Sequence, residues 1–456
     1  MSKQSNSNRL TRREFIKGAV TGAAGVALLG TKAFADAALQ ANKEKLNLLF
    51  IHTDQQHFEA LSGLGNRFLR TPNMDRLLAR GVSFSQSYSA DPVCCPARAC
   101  WYTGRAASEN AMLSNDHRLL QSMPDLGQWF GARGYAPFYT GKWHIPGRDP
   151  ASGFNVITDT PSGIGELTDP IVSRSAQAFL SSYSGDKPFF LSVSLLQPHD
   201  CCYWVFARHE DLTKLPYPSL ERKLPRLPKN HNYDVEEPPT LKRMLDGLRK
   251  WTSLWSDLQW RYYIWSYYRH VEMVDAELGR IIDALDDSEF SSNTAIVFTS
   301  DHGDGLGRRK LVQKWFAYDE SSRVPLIICP PGARDGGRRD TSHLVSGLDM
   351  APTLCDYAGI EAPPHQRGRS IRPLVEGKAG DWREFVVSEM HITGRMVRTP
   401  EYKFVAYKGE DVYQLFDMRS DPWEMSNLAA EAKYASLVTD LKKRLDDWES
   451  RLIVAG

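Results

Sequence analysis

LNLLFIHTDQQ, residues 46–56, runs from a mostly apolar half straight into five polar residues. An apolar run of this length that stops abruptly at polar residues reads as a buried strand whose far end meets solvent or a ligand. Three more segments repeat the pattern: YAPFYTGKWH (135–144), PFFLSVSLLQPHD (188–200) and TAIVFTSDHGD (294–304). Between them lie stretches of helical period, such as Met74 to Arg80 and Met123 to Arg133. Alternating strand and helix signals predict an α/β domain with a mostly parallel central sheet. In such sheets the working site lies just beyond the carboxyl ends of the strands. The four runs place Asp54, Gln55, Lys142, His144, His199, Asp301 and His302 at that end, and Lys314 follows shortly after. Two carboxylates with a glutamine and a histidine suit a divalent cation. Two lysines with one or two histidines suit a tetrahedral anion.

The chain has 456 residues, 42% hydrophobic and 24% charged, which is the composition of an ordinary globular protein. Its first 35 residues are read as an export signal rather than as fold. TRREFIK (11–17) carries a twin-arginine pair, a Gly/Ala-rich apolar run follows to Gly30, and Ala33-Phe34-Ala35 makes a cleavage site. The apolar run is too short to span a bilayer. The signal holds six of the 56 Lys/Arg and one of the 55 Asp/Glu, which leaves 50 and 54, a net charge of −4. With no run of five like charges, a nucleic-acid surface is unsupported, and an anionic substrate must be gripped locally.

Residues 36–345 are expected to form the catalytic α/β domain. The Pro-rich, charged stretch 203–250 is read as a surface excursion within it, and a helix should follow from Leu258 to Leu285. Residues 346–456 hold four short strand-like runs (385–390, 396–398, 402–407 and 412–418) and an amphipathic helix over 430–453. They predict a smaller antiparallel α+β subdomain. The aromatic run 251–270 is read as rings that bind the helix to the sheet rather than as a sugar platform. Cys201 and Cys202 are left as either a disulfide or pocket-wall residues.

DPVCCPARACWYTGR, residues 91–105, holds three cysteines in seven positions. A disulfide framework, a zinc site and an ordinary core segment each fit it poorly. Its pattern, Cys94-x-Pro96-x-Arg98 and then Thr103-Gly104-Arg105, resembles that of the type I, formylglycine-dependent sulfatases of the alkaline phosphatase superfamily. The motifs HTDQQ, CCPARACWYTGR, TGKWH, QPHD, SDHGD and QKWFAYDESSRVPLII stand in that family's order across most of the chain.

The resemblance implies an alkaline-phosphatase-like sandwich and conversion of Cys94 to formylglycine by a separate generating enzyme. It also implies sulfate-ester hydrolysis in the manner of exported bacterial carbohydrate sulfatases; the signal over residues 1–35 itself makes the twin-arginine machinery the expected export partner and a periplasmic or other exported location the expected one. Asp54, Gln55, Asp301, His302 and residue 94 become the metal ligands, and Arg98 and Lys142 hold the formylglycine. His144 assists release of sulfate, while His199 and Lys314 bind sulfate and protonate the leaving oxygen. Many members carry Asp where this chain has Gln55, and Asn where it has His302. A hard oxygen site favours Ca²⁺ ahead of Mn²⁺ or Mg²⁺, and the Gln and His replacements bring Mn²⁺ closer. The alternatives are a phosphonate monoester or phosphodiester hydrolase on the same nucleophile, and, more remotely, an inactive sugar-binding homologue.

Overall fold

The computed structural model describes residues 45–454 apart from 161–162, 207–214, 216, 234–235, 379 and 391–392. The export signal expected over 1–35 lies outside the described residues. A large sheet is built from β1 (Asn47–Asp54), β2 (Val82–Tyr88), β3 (Ala136–Gly141), β4 (Asn155–Asp159), β5 (Phe189–Pro198), β6 (Thr294–Ser300), β7 (Leu326–Cys329) and β8 (Arg338–Ser346). The spatial order is β4-β3-β5-β1-β6-β7-β2-β8. Only β7 runs against its neighbours, and every other pairing is parallel. The four apolar runs are therefore β1, β3, β5 and β6, which stand side by side and run in one direction.

Alternation along β1 builds both faces of the sheet. Leu49 and Ile51 point into a core that the helices Gly165–Ser182 and Asp257–Asp286 cover. Leu48 and Phe50 point into the opposite core, with Trp101 and Tyr102 of the helix Cys94–Thr103. The expected helix over 258–285 spans Asp257–Asp286, and Trp260, Tyr263 and Tyr267 on it are buried in the core, as the packing reading of that run requires. Among the described residues no helix is long and apolar enough to cross a membrane.

The four C-terminal runs form a second, antiparallel sheet: β9 (Val386–Met390), β10 (Gly394–Arg398), β11 (Tyr402–Tyr407) and β12 (Tyr413–Asp417). One face, with Val387, Val397, Phe404 and Leu415, is covered by Leu441 and Leu445 of the helix Ala435–Glu449. The other face, with Val386, Met396, Val405 and Phe416, packs on Tyr88, Phe316, Tyr318 and Leu344 of the larger unit.

Two stretches differ from the sequence expectation. The 203–250 excursion ends in a helix, Pro239–Arg249, whose Leu241, Leu245 and Leu248 are buried against the same interface. Proline and charge density concealed that apolar stripe. Past residue 345 the chain does not pass at once to the small sheet. The helix Met350–Tyr357 and Ile371, Leu374 and Val375 still fill the core under the large one.

A buried ion cluster fastens the two sheets together. Lys403 on β11, fully buried, donates to Asp319 Oδ1 at 2.6 Å, Glu424 Oε1 at 2.7 Å and the Ala317 carbonyl at 2.9 Å. Lys403→Met leaves Glu424 without its ammonium partner and Asp319 with Arg323 alone, at 3.2 Å, and is expected to cost about 3–5 kcal/mol in chemical denaturation. A loss below about 1 kcal/mol would show that the clasp contributes no more than a surface pair.

Candidate active site

The sheet register brings the first pair of residues together. Thr53 pairs with Ser300, so Asp54 at the end of β1 and Asp301 just past β6 are neighbours. Cys94 is the first residue of its helix, after a β2–helix connection, and Arg98 lies one turn later on the same face. Lys142 follows β3 through Gly141, whose φ of +108° and approach to the Ser194 carbonyl (2.0 Å from a built Cβ) admit only glycine. His144 sits at a positive φ of 52°. His199 follows the end of β5, after the cis Gln197–Pro198 bond. Lys314 reaches in from the loop after β6, and its ammonium donates to Gln55 Oε1 at 2.7 Å. Asp54, Gln55, Lys142, His199, Asp301, His302 and Lys314 meet at this one edge.

Asp54 and Asp301 are fully buried and held by one guanidinium. Arg98 donates from Nε to Asp301 Oδ2 at 3.0 Å and from Nη2 to Asp54 Oδ2 at 3.1 Å. Its Nη1 donates to the Lys142 carbonyl at 2.9 Å and to Ser194 Oγ at 2.7 Å. Lys142 Nζ adds a 2.6 Å bond to Asp54 Oδ2. Arg98 and Lys142 thus brace the carboxylates in this structure. Burial pushes both carboxyl groups up, but Lys142, His199, Arg98 and Lys314 hold Asp54 well below the usual range. Asp301 goes the other way, to about 6, because burial is joined by the negative charge of Asp54.

The inner atoms are arranged for a cation. Ligand atoms of Asp54, Cys94, Asp301 and His302 lie within 4.8 Å of one another, all buried. His302 Nε2 stands 3.8 Å from Asp54 Oδ1 and 3.6 Å from Asp301 Oδ1, too far for a good hydrogen bond to either. This is the spacing of donors gathered around a shared centre. The His302 ring is turned so that Nδ1 meets the Gly303 carbonyl at 2.9 Å, which leaves the Nε2 lone pair facing the cluster. Burial lowers the His302 pKa, yet Asp301 and Cys94 together carry it above the ordinary value, so the field at this point favours a positive charge. Two carboxylates, an imidazole nitrogen and residue 94 fit a divalent ion.

The Cys94 sulfur stands where a converted side chain would present its oxygen, 3.1 Å from His302 Nε2 and 3.7 Å from Asp54 Oδ1. Burial and Asp54 raise its pKa, but Lys314, His302 and Lys142 together hold it well below the ordinary thiol range. An anion at this atom is favoured. Around it, His199 is pushed down to about 3, chiefly by burial, and its Nδ1 has no partner; neither has His144 Nδ1. Lys314, buried among Cys94, Cys202, Asp54 and Asp301, has its pKa raised in spite of its burial. Cys201 and Cys202 are free and line the floor under Gln55, with sulfurs 3.4 and 3.3 Å from Gln55 Nε2. Sequence reasoning missed Ser194 and Asp304. Ser194 gives no signal beyond its place in β5, and Asp304 stands in the quoted SDHGD but reads there as a turn residue.

The description "Sulfatase" matches residues 46–360 as a family model. The chain belongs to the sulfatase family. A second family model, "N-sulphoglucosamine sulphohydrolase, C-terminal", matches residues 307–451 of this sulfatase. A Delta 4,5-hexuronate-2-O-sulfatase of Bacteroides thetaiotaomicron is 31% identical, over 94% of this chain and 92% of the relative. A solved 2-O GAG sulfatase superposes with a TM-score of 0.80 at 30% identity, covering 90% of this chain and 92% of the other. A phosphonate monoester hydrolase of Agrobacterium radiobacter shares the fold, with a TM-score of 0.74 at 23% identity over 90% of this chain and 96% of the other. The enzyme is a sulfuric ester hydrolase with a mostly parallel α/β core and a small antiparallel sheet.

If the cluster holds a cation, adding Ca²⁺ to metal-stripped enzyme at a hundredfold its dissociation constant should stabilise the fold by about 2.7 kcal/mol, read as a rise in melting temperature. Asp301→Ala should abolish that rise. Cation affinity should also fall as pH drops below about 6, where a proton competes for Asp301. Identical melting with and without cation would mean that the cluster binds none.

Proposed function

We propose that this sulfatase removes sulfate from sulfated sugars, using formylglycine at position 94 and a bound Ca²⁺. The observation that carries the reading is the buried cluster of Asp54, residue 94, Asp301 and His302, ringed by Lys142, Lys314 and His199. Asp54, Asp301, His302 and Gln55 Oε1 would hold the cation. When bound, the cation would supply Lewis acidity that makes a hydroxyl of the hydrated aldehyde at 94 a better nucleophile toward sulfur, with the sugar alcohol as leaving group, and would screen the sulfate oxygens. Arg98 keeps both carboxylates fixed while charge builds up beside them. Lys142, bonded to Asp54, keeps a positive charge next to residue 94. Lys314 and His199 face the sulfate and the leaving oxygen. An anionic sulfate beside His199 raises its pKa from the low value that burial imposes, so either group can carry the departing proton. His144 would take the proton released when sulfate leaves, a role that the family resemblance supports.

The 31%-identical relative directs the choice of substrate: 2-O-sulfated, unsaturated uronate-containing saccharides are the first to assay. Residues 1–35 support export through the twin-arginine route, and Cys94-x-Pro96-x-Arg98 supports maturation by a formylglycine-generating enzyme before it.

Sulfate release from such saccharides, measured by ion chromatography, should be abolished by Cys94→Ala with no loss of fold. Turnover of nitrophenyl phosphodiesters but of no sulfate ester would transfer the enzyme to the phosphonate hydrolases. The proton donor should reveal itself through leaving groups. Its removal should slow sugar sulfates by about 10²- to 10⁴-fold and nitrophenyl sulfate far less. Lys142→Ala should slow both alike. Equal losses on both substrates for His199→Ala and for Lys314→Ala would leave the proton to water.

A further inference from the structure

Asp304 takes no part in the chemistry above, yet it is fully buried at the rim of the site. Its Oδ2 accepts from Gln55 Nε2 at 2.7 Å and from the Gln313 backbone N–H at 2.9 Å. Its Oδ1 accepts from the Tyr263 hydroxyl at 2.9 Å and from the Leu306 backbone N–H at 2.7 Å. At the other end of the same amide, Gln55 Oε1 accepts from Lys314 Nζ at 2.7 Å. Gln55 is thus pinned between a carboxylate and an ammonium.

Those two charges decide which way the amide faces. Turned over, its oxygen would meet the Asp304 carboxylate and its NH₂ would meet the Lys314 ammonium, a repulsion at each end in a fully buried site. An aspartate at position 55 would need no such device, because both its oxygens can bind a cation. A glutamine has one useful oxygen, and its other end repels a cation. The chain at Gln55 also turns through a positive φ of 70°, so the side chain leaves the backbone in a direction that the turn sets.

We infer that Asp304 is a positioning residue that locks the Gln55 amide, oxygen inward, for cation binding. The inference rests on the reading of Gln55 as a metal ligand. The same carboxylate closes the loop 305–313 on itself through Leu306 and Gln313, so it also sets where Lys314, the next residue, enters the site.

The test is calorimetric titration of metal-stripped full-length protein with Ca²⁺. Asp304→Leu keeps the volume of the side chain but leaves the Gln55 NH₂ and the Gln313 N–H with no acceptor. Affinity should weaken by about 10- to 100-fold. Asp304→Asn is the control: its amide oxygen can still accept from Gln55 and Gln313 while its NH₂ donates to the Tyr263 hydroxyl. Its affinity should stay within about fivefold of wild type. Tyr263→Phe, which leaves the Gln55 bond intact, should change affinity by less than about threefold. Unchanged binding in Asp304→Leu, or a loss in Asp304→Asn as large as in Asp304→Leu, would overturn the lock. A wild-type protein that binds no Ca²⁺, Mn²⁺ or Mg²⁺ would overturn the metal reading and the lock with it.

Discussion

Two carboxylates that repel each other lie at the ends of adjacent parallel strands, and one guanidinium holds them apart and in place. Asp54 and Asp301 are brought together by the β1–β6 register, and without Arg98 they would leave charge buried in an interior that cannot screen it. The bond to Arg98 explains why the helix must begin at Cys94: one turn separates the residue that needs the cation from the residue that braces its ligands. It also explains the split between the acids. Asp54, with Lys142 and Arg98 on one oxygen, stays ionised, while Asp301 is pushed to about 6, so a divalent ion meets one committed charge and one for which a proton competes as pH falls below about 6.

The same arrangement fixes the direction of the site. Lys314, His302 and Lys142 hold residue 94 toward its anionic form, and His199, within the field of Asp54 and residue 94, keeps an unpartnered Nδ1. Gln55 and His302 stand where a second acid and an amide would also serve. The exchange of charge for geometry has a physical cost: an amide must be oriented and an imidazole must present the right nitrogen. The Gly303 carbonyl orients His302, and Asp304 orients Gln55.

Much of this is legible in the sequence, for an identifiable reason. A parallel sheet buried on both faces makes each central strand a near-continuous apolar run, so the first polar residue after it marks the strand end, and the site with it. Asp54, Lys142, His199 and Asp301 are found that way, and the long helix is found to within one residue at each end. What escapes is whatever depends on contact between distant segments. Asp304 reads as a turn because its partners are 249 residues before it and 41 before it. The helix Pro239–Arg249 is hidden because its apolar stripe is buried only against the second sheet. The bracing role of Arg98 emerges only when four acceptors, each from a different segment, converge on it.

The account turns on residue 94 acting as a converted side chain beside a cation. The most direct measurement compares preparations of different maturation. The fraction of chains about 18 Da lighter at the Cys94 peptide is measured by mass spectrometry, alongside sulfate release at saturating cation. Activity should rise in proportion to that fraction and extrapolate to zero where every chain keeps its thiol. Full activity from chains that retain the free Cys94 thiol would contradict the account.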